Sequence, residues 1–199
     1  MNQTKITIVG SGYVGLSLAV LLAQHNYVVV LDIDSSRVDK INNTRSTVVD
    51  AKNEDFLTHK ELSLEATLDK KIAYEGTSFV VIATPTNYNH TLKQFDTSSV
   101  EGIVADVQEL AKDALVIIKS TIPIGYTKSL QEKFSTDSII FSPEFLREGQ
   151  ALHDNLYPSR IIIGSQLESG KAFADLLVEG AEKKDIENLM LLMPIRLND

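Results

Sequence analysis

The stretch ITIVGSGYVGLSLAVLLA, residues 6–23, has two incompatible interpretations. It is an apolar run behind Lys5, as in an export signal, yet it carries Gly10, Gly12 and Gly15 in the pattern G-x-G-x-x-G. An export signal fits poorly, because one lysine is a thin basic region, glycines interrupt the apolar run and no clear small-residue cleavage site follows. A membrane span fits no better, since polar side chains would lie in lipid. The stretch therefore predicts a strand, a turn and a helix.

The predicted turn gives each glycine a separate use. Gly10 permits a tight turn, Gly12 lets the backbone approach a pyrophosphate, and Gly15 allows the helix to pack closely on the strand. Residues 5–9 form a β-branched run suited to a buried parallel strand, and from Val14 the apolar positions fall on one face of a helix. That helix points its unpaired N–H groups and the positive end of its dipole at the phosphates.

A carboxylate follows the next predicted strand, residues 27–31. Asp32 lies about 20 residues after Gly12, where a ribose-binding acid belongs in a dinucleotide-binding fingerprint. Such an acid accepts hydrogen bonds from the ribose hydroxyls and repels a 2′-phosphate, so the expected cofactor is NAD rather than NADP. Asp32 could alternatively be a helix cap or a solvated acid. Arg37 could reach the adenosine side of the cofactor or could equally be a solvated helix residue.

Strands and helices continue to alternate along the chain. Further buried-type strands are predicted at residues 79–83, 115–119, 138–141 and 160–163. A helix with an apolar stripe opens at the capping box Ser98-x-x-Glu101, and the polar stretch 42–61 predicts short helices and loop. This alternation predicts the α/β class, with a doubly wound parallel sheet of the Rossmann type and right-handed crossovers.

Ligands of such sheets bind at the carboxyl ends of the strands. The loops after three of the predicted strands are TPTNYN (84–89), STIPIG (120–125) and SPEFLREG (142–149). We expect all three loops to converge on one crevice above Gly12. Taken one at a time, Thr86 and Thr121 could cap helices. Glu144 and Glu148 could likewise be solvated acids.

Composition limits the partners of the chain. The formal net charge of −8 and the sequence pI near 5.0 argue against nucleic acid and anionic membrane surfaces, because both would repel the chain. The 199 residues include no cysteine, which excludes disulfides, thiolate metal sites and a catalytic thiol within them. The four histidines show no metal-ligand spacing, so no metal is expected. We expect a cytoplasmic protein with a small-molecule ligand.

Five blocks of sequence, together covering much of residues 5–182, carry a recognisable pattern. They are KITIVGSGYVGLSLAVLLA, VVVLDIDSSRVDKIN, VVIATPTNYN, VIIKSTIPIGYT and IIFSPEFLREGQALHDNLYPSRIIIG. In these blocks the chain closely resembles the N-terminal domain of the UDP-glucose 6-dehydrogenase family, the short bacterial form in particular. The resemblance implies an NAD-dependent oxidoreductase that converts UDP-glucose to UDP-glucuronate for polysaccharide biosynthesis, through two hydride transfers from the sugar C6.

The resemblance also implies roles for individual residues. Beside the three glycines, the implied cofactor contacts are Tyr13, Val14, Asp32, Arg37, Thr86, Thr121 and Glu148. The implied substrate contacts are Glu144, Phe145, Leu146, Arg147 and Glu148. Glu144 is implied in proton transfer and Thr121 in holding a water beside the reacting carbon. These roles are chemically sensible, because an alcohol that gives up a hydride must also lose its proton.

The chain also departs from that family. Members trap the aldehyde with a cysteine nucleophile, which is missing from these residues, and the central helix and second domain of the family are not recognisable. We therefore expect a Rossmann-type domain of residues 1–182, an atypical tail of residues 183–199, and a truncated chain that is catalytically incomplete alone. The alternatives are a free-standing NAD-binding sensor or interaction module, and a dehydrogenase of another nucleotide sugar. Retention of SPEFLREG favours the dehydrogenase over the free-standing module.

The tail contains the apolar run LMLLM, residues 189–193, directly before Pro194. Because proline disfavours a helix at the residue before it, this run predicts an added strand or a hydrophobic tail docked on the sheet. Exposed to water, the run would be a sticky patch. We expect it to be buried within the chain, or against a second copy in a weak homodimer.

Overall fold

In the computed structural model of the chain, the described residues are 3–89, 94–165, 167–183 and 189–191. Among them the strands are β1 (Lys5–Val9), β2 (Tyr27–Leu31), β3 (Leu64–Thr67), β4 (Phe79–Ile82), β5 (Asn87–Asn89), β6 (Gln94–Asp96), β7 (Leu115–Ile118), β8 (Ile139–Phe141), β9 (Ile161–Ile163) and β10 (Leu189–Leu191). The helices are α1 (Tyr13–Leu22), α2 (Ser35–Asn42), α3 (Ala51–His59), α4 (Lys70–Tyr74), α5 (Ser98–Leu110), α6 (Tyr126–Phe134), α7 (Ala151–Leu156) and α8 (Glu168–Gly180).

A six-stranded sheet forms the centre of the fold, with the strand order β3-β2-β1-β4-β7-β8. All neighbouring strands in it are parallel, and Ile6 of β1 lies opposite Val28 of β2 and Phe79 of β4. The chain first moves outward from β1 to β3 and then returns to β4 on the other side of β1. The predicted doubly wound parallel sheet is confirmed. Its order reverses between β1 and β4, which is where sheets of this kind bind ligands.

Helices cover both faces of the sheet, which explains why its strands other than the edge strand β3 are mostly apolar. Successive side chains of a strand point to opposite faces. On one face, Ile8 belongs to a core that includes Leu18 of α1 and Phe173 of α8. On the other face, Val9 belongs to a core that includes Val104 of α5. In the described part of the chain, no helix combines the length and the hydropathy that crossing a bilayer requires.

The capping box predicted for α5 is wrong. Thr97 occupies the N-cap position, and no described side chain caps the helix from there. The carboxylate of Asp96 accepts hydrogen bonds from both the hydroxyl and the backbone N–H of Ser98, at 2.6 and 3.1 Å. Glu101 instead forms an ion pair with Lys133 of α6. The aspartate two residues before the predicted cap therefore takes the hydroxyl that the capping box needs.

The sequence pattern does not predict β3 or the small hairpin of β5 and β6. Strand β3, with the sequence LEAT, lies at the edge of the sheet and is largely half-buried, so it has no apolar run. Strands β5 and β6 pair antiparallel in the polar segment after β4, with Asn87 opposite Asp96. Neither feature has the hydrophobic periodicity from which strands are predicted. The short helix predicted within residues 42–61 is confirmed as α3.

A second, two-stranded sheet lies next to β8. Strand β10 pairs in parallel with β9, with Leu189 opposite Ile161. The backbone N–H of Gly164, after β9, donates to the carbonyl oxygen of Phe141 at 2.8 Å, which holds β9 beside β8. The added strand predicted in the tail is confirmed for β10. Residues 192–193, and the predicted burial of the run's side chains, lie outside the described residues.

Candidate functional site

Two glycines shape the turn after β1. Gly10 has φ +96°, and a Cβ there would lie 2.8 Å from the carbonyl oxygen of Ala83 after β4. A Cβ on Gly15 would lie 1.9 Å from the carbonyl oxygen of Gly10. Tyr13 and Val14, which begin α1, are partly buried beside this contact. The helix therefore lies directly against the turn, at a separation that only glycine permits.

The start of α1 is open. Gly12 is its N-cap residue, and a Cβ built there meets no described atom within 4 Å. No described side chain caps this helix, as is also the case for α5, α6, α7 and α8, whereas α2, α3 and α4 are capped by the carboxylates of Asp34, Asp50 and Asp69. The first N–H groups of a helix and its positive dipole end attract anions. The uncapped start of α1 thus suits the phosphates of a dinucleotide.

The carboxylate of Asp32 is already ordered beside this turn. This residue is only 9% exposed. Oδ2 accepts hydrogen bonds from the backbone N–H of Ser11 at 2.8 Å and from the Ser11 hydroxyl at 2.5 Å. Oδ1 accepts from the backbone N–H of Asp34 at 3.0 Å. Because Asp34 caps α2 and Asp32 is buried, the alternatives of a helix cap or a solvated acid do not apply to Asp32.

Arg37 lies one turn into α2, beyond the end of β2. Its Nε is 3.8 Å from Oδ2 of Asp34, and its side chain is 41% exposed. Hydrogen bonds from Ser36, with a smaller contribution from Arg37, hold the pKa of Asp34 below its usual value. Ile33, between the two aspartates, is fully exposed. The guanidinium is therefore at the surface beside Asp34 and retains freedom to meet a ligand.

Threonines from two loops meet close to the glycine turn. The hydroxyl of Thr86 donates to the carbonyl oxygen of Thr121 at 2.7 Å. The hydroxyl of Ser120 donates to the carbonyl oxygen of Thr84 at 2.6 Å. Since the end of β4 also contacts Gly10, the turn and both loops form a continuous line across the carboxyl ends of β1, β4 and β7. Neither Thr86 nor Thr121 is at a helix N-cap position.

In the segment after β8, residues 142–149, the side chains make contacts with different parts of the chain. Glu144 Oε2 accepts from the backbone N–H of Leu146 at 2.7 Å. Phe145 is 55% exposed, and the Arg160 guanidinium lies 5.3 Å from the centroid of its ring. The side chain of Glu148 is exposed. The predicted substrate contacts thus share one loop at the same edge of the sheet as Thr121.

Arg147, also a predicted substrate contact, is largely exposed and pairs with Asp154 of α7. Its Nη2 lies 2.6 Å from Oδ1 and its Nε 3.1 Å from Oδ2 of that aspartate. The backbone N–H of Arg147 donates to Oδ2 at 2.9 Å. The hydrogen bonds from Arg147 lower the pKa of Asp154. The guanidinium therefore anchors the loop 142–149 to α7.

Lys119 supports the same loop from below and was not singled out from the sequence. Its buried Nζ donates to the hydroxyl of Ser142 at 2.9 Å and lies 3.5 Å from the carbonyl oxygen of Pro143. Burial lowers the pKa of Lys119 to about 8, against the opposing influence of the Glu144 charge. A lysine closing the apolar run LVIIK was the available signal, because a charge at the end of a buried strand needs a partner.

A small cavity of about 50 Å³ adjoins this lysine, with Glu144, Phe145 and Arg160 among its lining residues. Sites for ligands of drug size enclose roughly 300–1,000 Å³. The cavity is therefore too small to hold a sugar nucleotide.

Comparison with known proteins gives matches over nearly the whole chain. The model of the UDP-glucose/GDP-mannose dehydrogenase family, NAD binding domain, matches residues 4–179. The UDP-glucose 6-dehydrogenase of Streptococcus pneumoniae is 53% identical over an alignment of 193 residues that covers 94% of this chain and 49% of that protein. The UDP-glucose 6-dehydrogenase of Campylobacter jejuni is 49% identical over an alignment of 185 residues that covers 92% of this chain and 47% of that protein.

A solved structure of a similar enzyme has the same fold. A structure of a UDP-glucose dehydrogenase from the hyperthermophilic archaeon Pyrobaculum islandicum matches with a TM-score of 0.81 at 26% identity. The match covers 97% of this chain and 47% of that one. The chain thus spans about half the length of the relatives that it matches.

Proposed function

The chain belongs to the UDP-glucose/GDP-mannose dehydrogenase family, and on this premise we propose that it supplies the cofactor half of a UDP-glucose 6-dehydrogenase. The matched family domain binds NAD, so NAD is the cofactor of this domain. The proposed reaction is the oxidation of UDP-glucose to UDP-glucuronate with two successive hydride transfers. The observation that carries the proposal is the buried, ordered Asp32 beside an uncapped helix start.

We place NAD along the line of strand ends. The pyrophosphate lies over Gly12, where the open space and the free helix start fit an anion. The adenosine ribose lies at Asp32, with Arg37 on the outer side. The nicotinamide lies near Thr86 and Thr121, whose mutual hydrogen bond holds the two loops together. This placement is supported by the position of Gly12, Asp32, Thr86 and Thr121, which follow strands at one edge of the sheet, next to the reversal of strand order.

Side chains of this chain carry out the remaining tasks of the proposed reaction, which are proton transfer and the holding of a water. NAD supplies the hydride acceptor when it is bound. Glu144 accepts the proton that the C6 hydroxyl loses, and its tether to the Leu146 N–H leaves one carboxylate oxygen for that task. Thr121 holds a water for the hydrolytic step. Glu148, exposed in the same loop, lies at the nicotinamide end of the crevice.

A polypeptide of these 199 residues alone is expected not to oxidise UDP-glucose. The proposed reaction traps the aldehyde on a thiol, and these residues contain no cysteine. A purified preparation incubated with NAD⁺ and UDP-glucose should show no sustained rise in NADH absorbance. Sustained NADH production by a clean preparation would contradict this expectation.

Calorimetric titration with NAD⁺, NADP⁺ and UDP-glucose in parallel tests the proposal. NAD⁺ should bind more tightly than NADP⁺, because the Asp32 charge repels a 2′-phosphate. Asp32→Ala should weaken NAD⁺ binding by roughly 1–3 kcal/mol, the range for leaving hydrogen-bond partners of a charged group unmade. Equal or tighter binding of NADP⁺ by the wild type would overturn the assignment of Asp32 to the ribose.

The same proposal extends to location and partners. We propose a cytoplasmic protein, which the absence of cysteine from these residues supports, since disulfides mark oxidising compartments. The net charge of −8 supports small ligands over nucleic acid or anionic membranes as partners. We also propose a weak homodimer. Light scattering over a range of protein concentrations tests it, and a constant monomer mass would exclude it.

A further inference from the structure

Ser11 is the residue between the first two glycines of the turn, and its side chain is fully buried. Its backbone N–H and its hydroxyl both donate to Oδ2 of Asp32, at 2.8 and 2.5 Å. The backbone N–H of Asp34 donates to Oδ1 at 3.0 Å. The carboxylate of Asp32 is therefore held at both of its oxygens before any ligand arrives.

These contacts fix an orientation that an aspartate does not fix by itself. The terminal torsion of aspartate has a broad distribution, so its neighbours determine the plane of the carboxylate. An ionised carboxylate has about four lone-pair sites, and three hydrogen bonds from Ser11 and Asp34 leave about one, on Oδ1. A single ribose 2′-hydroxyl needs one such acceptor in a fixed direction.

A second hydroxyl holds Ser11 from the other side. Thr47 Oγ1 donates to the carbonyl oxygen of Ser11 at 2.5 Å. Thr47 lies between α2 and α3, so one chain of hydrogen bonds joins that segment, the glycine turn and the carboxylate of Asp32. The position of Ser11 is thus set by contacts on both sides of its peptide.

We propose that Ser11 is a positioning residue for NAD recognition: its hydroxyl orients the Asp32 carboxylate so that the free acceptor site faces the adenosine ribose. The inference rests on the proposed function, in which Asp32 binds that ribose. A carboxylate fixed in this way does not swing aside for a 2′-phosphate. Ser11 therefore also contributes to the preference for NAD over NADP.

The test compares NAD⁺ with its 2′-deoxyadenosine analogue by calorimetric titration of the wild type, Ser11→Ala and Asp32→Ala. In the wild type, loss of the 2′-hydroxyl should weaken binding about tenfold, as for one hydrogen bond to a charged group. Ser11→Ala should weaken NAD⁺ binding about three- to tenfold and reduce the penalty for the deoxy analogue to below about threefold. A purely structural role of Ser11 would leave that penalty unchanged.

Ser17→Ala is the matched control. Ser17 is an equally buried serine of α1, and its hydroxyl donates to the carbonyl oxygen of Val14 at 3.1 Å rather than to Asp32. This variant should keep the wild-type penalty for the deoxy analogue. Thr47→Val keeps the shape of its side chain while removing the hydroxyl. It should lower the penalty in the same direction as Ser11→Ala, and it decides the matter if Ser11→Ala does not fold.

Each outcome has a defined consequence. Equal weakening of both ligands by Ser11→Ala, or tighter binding of NAD⁺, overturns the inference, because the hydroxyl would then be structural or would compete with the ribose. If Asp32→Ala abolishes the penalty for the deoxy analogue while Ser11→Ala and Thr47→Val keep the wild-type penalty, the inference is overturned. The proposed function is unaffected by that result. An unchanged penalty in Asp32→Ala shows that the ribose lies elsewhere, and the placement in the proposed function then fails instead.

Discussion

The glycine turn after β1 and the loop 142–149 after β8 lie at the same edge of the sheet but are built differently. In the turn, backbone atoms in close contact fix the path of the chain, and Asp32 is buried and held at both oxygens. In the loop, Phe145 and Glu148 are exposed, and the firm contacts are at its base and at Arg147. The proposed cofactor side is thus ordered by this chain itself, whereas Phe145 and Glu148 of the loop face outward.

The largest effect is expected from Gly15→Ala. The added Cβ would lie 1.9 Å from the carbonyl oxygen of Gly10, and this atom is backbone that cannot rotate away. Overpacking usually costs about 1–3 kcal/mol, and this contact should cost at least the upper value. Urea unfolding monitored by circular dichroism measures the loss. Wild-type stability of this variant would mean that the turn is far less tightly fixed than the comparison requires.

A pH-dependent effect is expected from Lys119→Met, at the base of the loop. Burial lowers the pKa of Lys119 from 10.5 to about 8, so the folded state releases this proton before the unfolded state does. The folded state therefore carries a penalty at neutral pH, and the penalty fades as pH rises from about 8 towards 10.5. The methionine variant has no such penalty.

The wild type should accordingly gain about 2–3 kcal/mol of unfolding free energy relative to Lys119→Met between about pH 7 and pH 10. Urea unfolding of both proteins at several pH values measures this difference. Taking the difference between the two proteins cancels the titration of groups they share. A difference that stays constant with pH would show that Lys119 has the same pKa in the folded and unfolded states.

A ligand-specific effect is expected from Gly12→Ala. A Cβ there meets no described atom within 4 Å, so unfolding free energy should change by less than about 0.5 kcal/mol, since loss of unfolded-state entropy offsets the poorer N-cap. The methyl group would occupy space proposed for the pyrophosphate. The dissociation constant for NAD⁺ should therefore rise at least about tenfold. Unchanged NAD⁺ binding would place the pyrophosphate away from Gly12.

The fold and the turn could be predicted because their causes are local in sequence. Strands buried on both faces must be continuous apolar runs, and Val80 and Val81, which belong to opposite cores, show why. The glycine spacing likewise records close contacts within one turn. The edge strand β3 and the β5–β6 hairpin could not be predicted, because strands with half-buried or polar residues have no such pattern.

The network around the site could be predicted only in part. Residue types and spacing predict Asp32 as a ribose-binding acid, but the bond from Ser11 joins residues 21 positions apart that only the folded β1–α1–β2 unit brings together. The bond from Lys119 to Ser142 spans 23 positions and depends on the pairing of β7 with β8. Contacts of this kind depend on strand register, which cannot be read from a single sequence.

The smallest effect is expected from Arg147→Ala, which tests whether the two regions are independent. The side chain of Arg147 is 64% exposed, and Asp154 keeps the backbone N–H of residue 147 as a partner in the variant. Stability should fall slightly at neutral pH, as for other surface ion pairs. Because Arg147 lowers the pKa of Asp154, the loss should disappear as acid protonates this carboxyl in both states. Unfolding at neutral and acidic pH measures this loss of stability, with Lys128→Ala, which removes an exposed ion pair to Glu132, as the matched control.

NAD⁺ binding should be unchanged in both variants, because the ion pair of Arg147 anchors the loop and not the turn. A weaker affinity for NAD⁺ in Arg147→Ala alone would show that the loop helps to hold the cofactor, and the contrast between a self-ordered turn and an outward-facing loop would then be wrong.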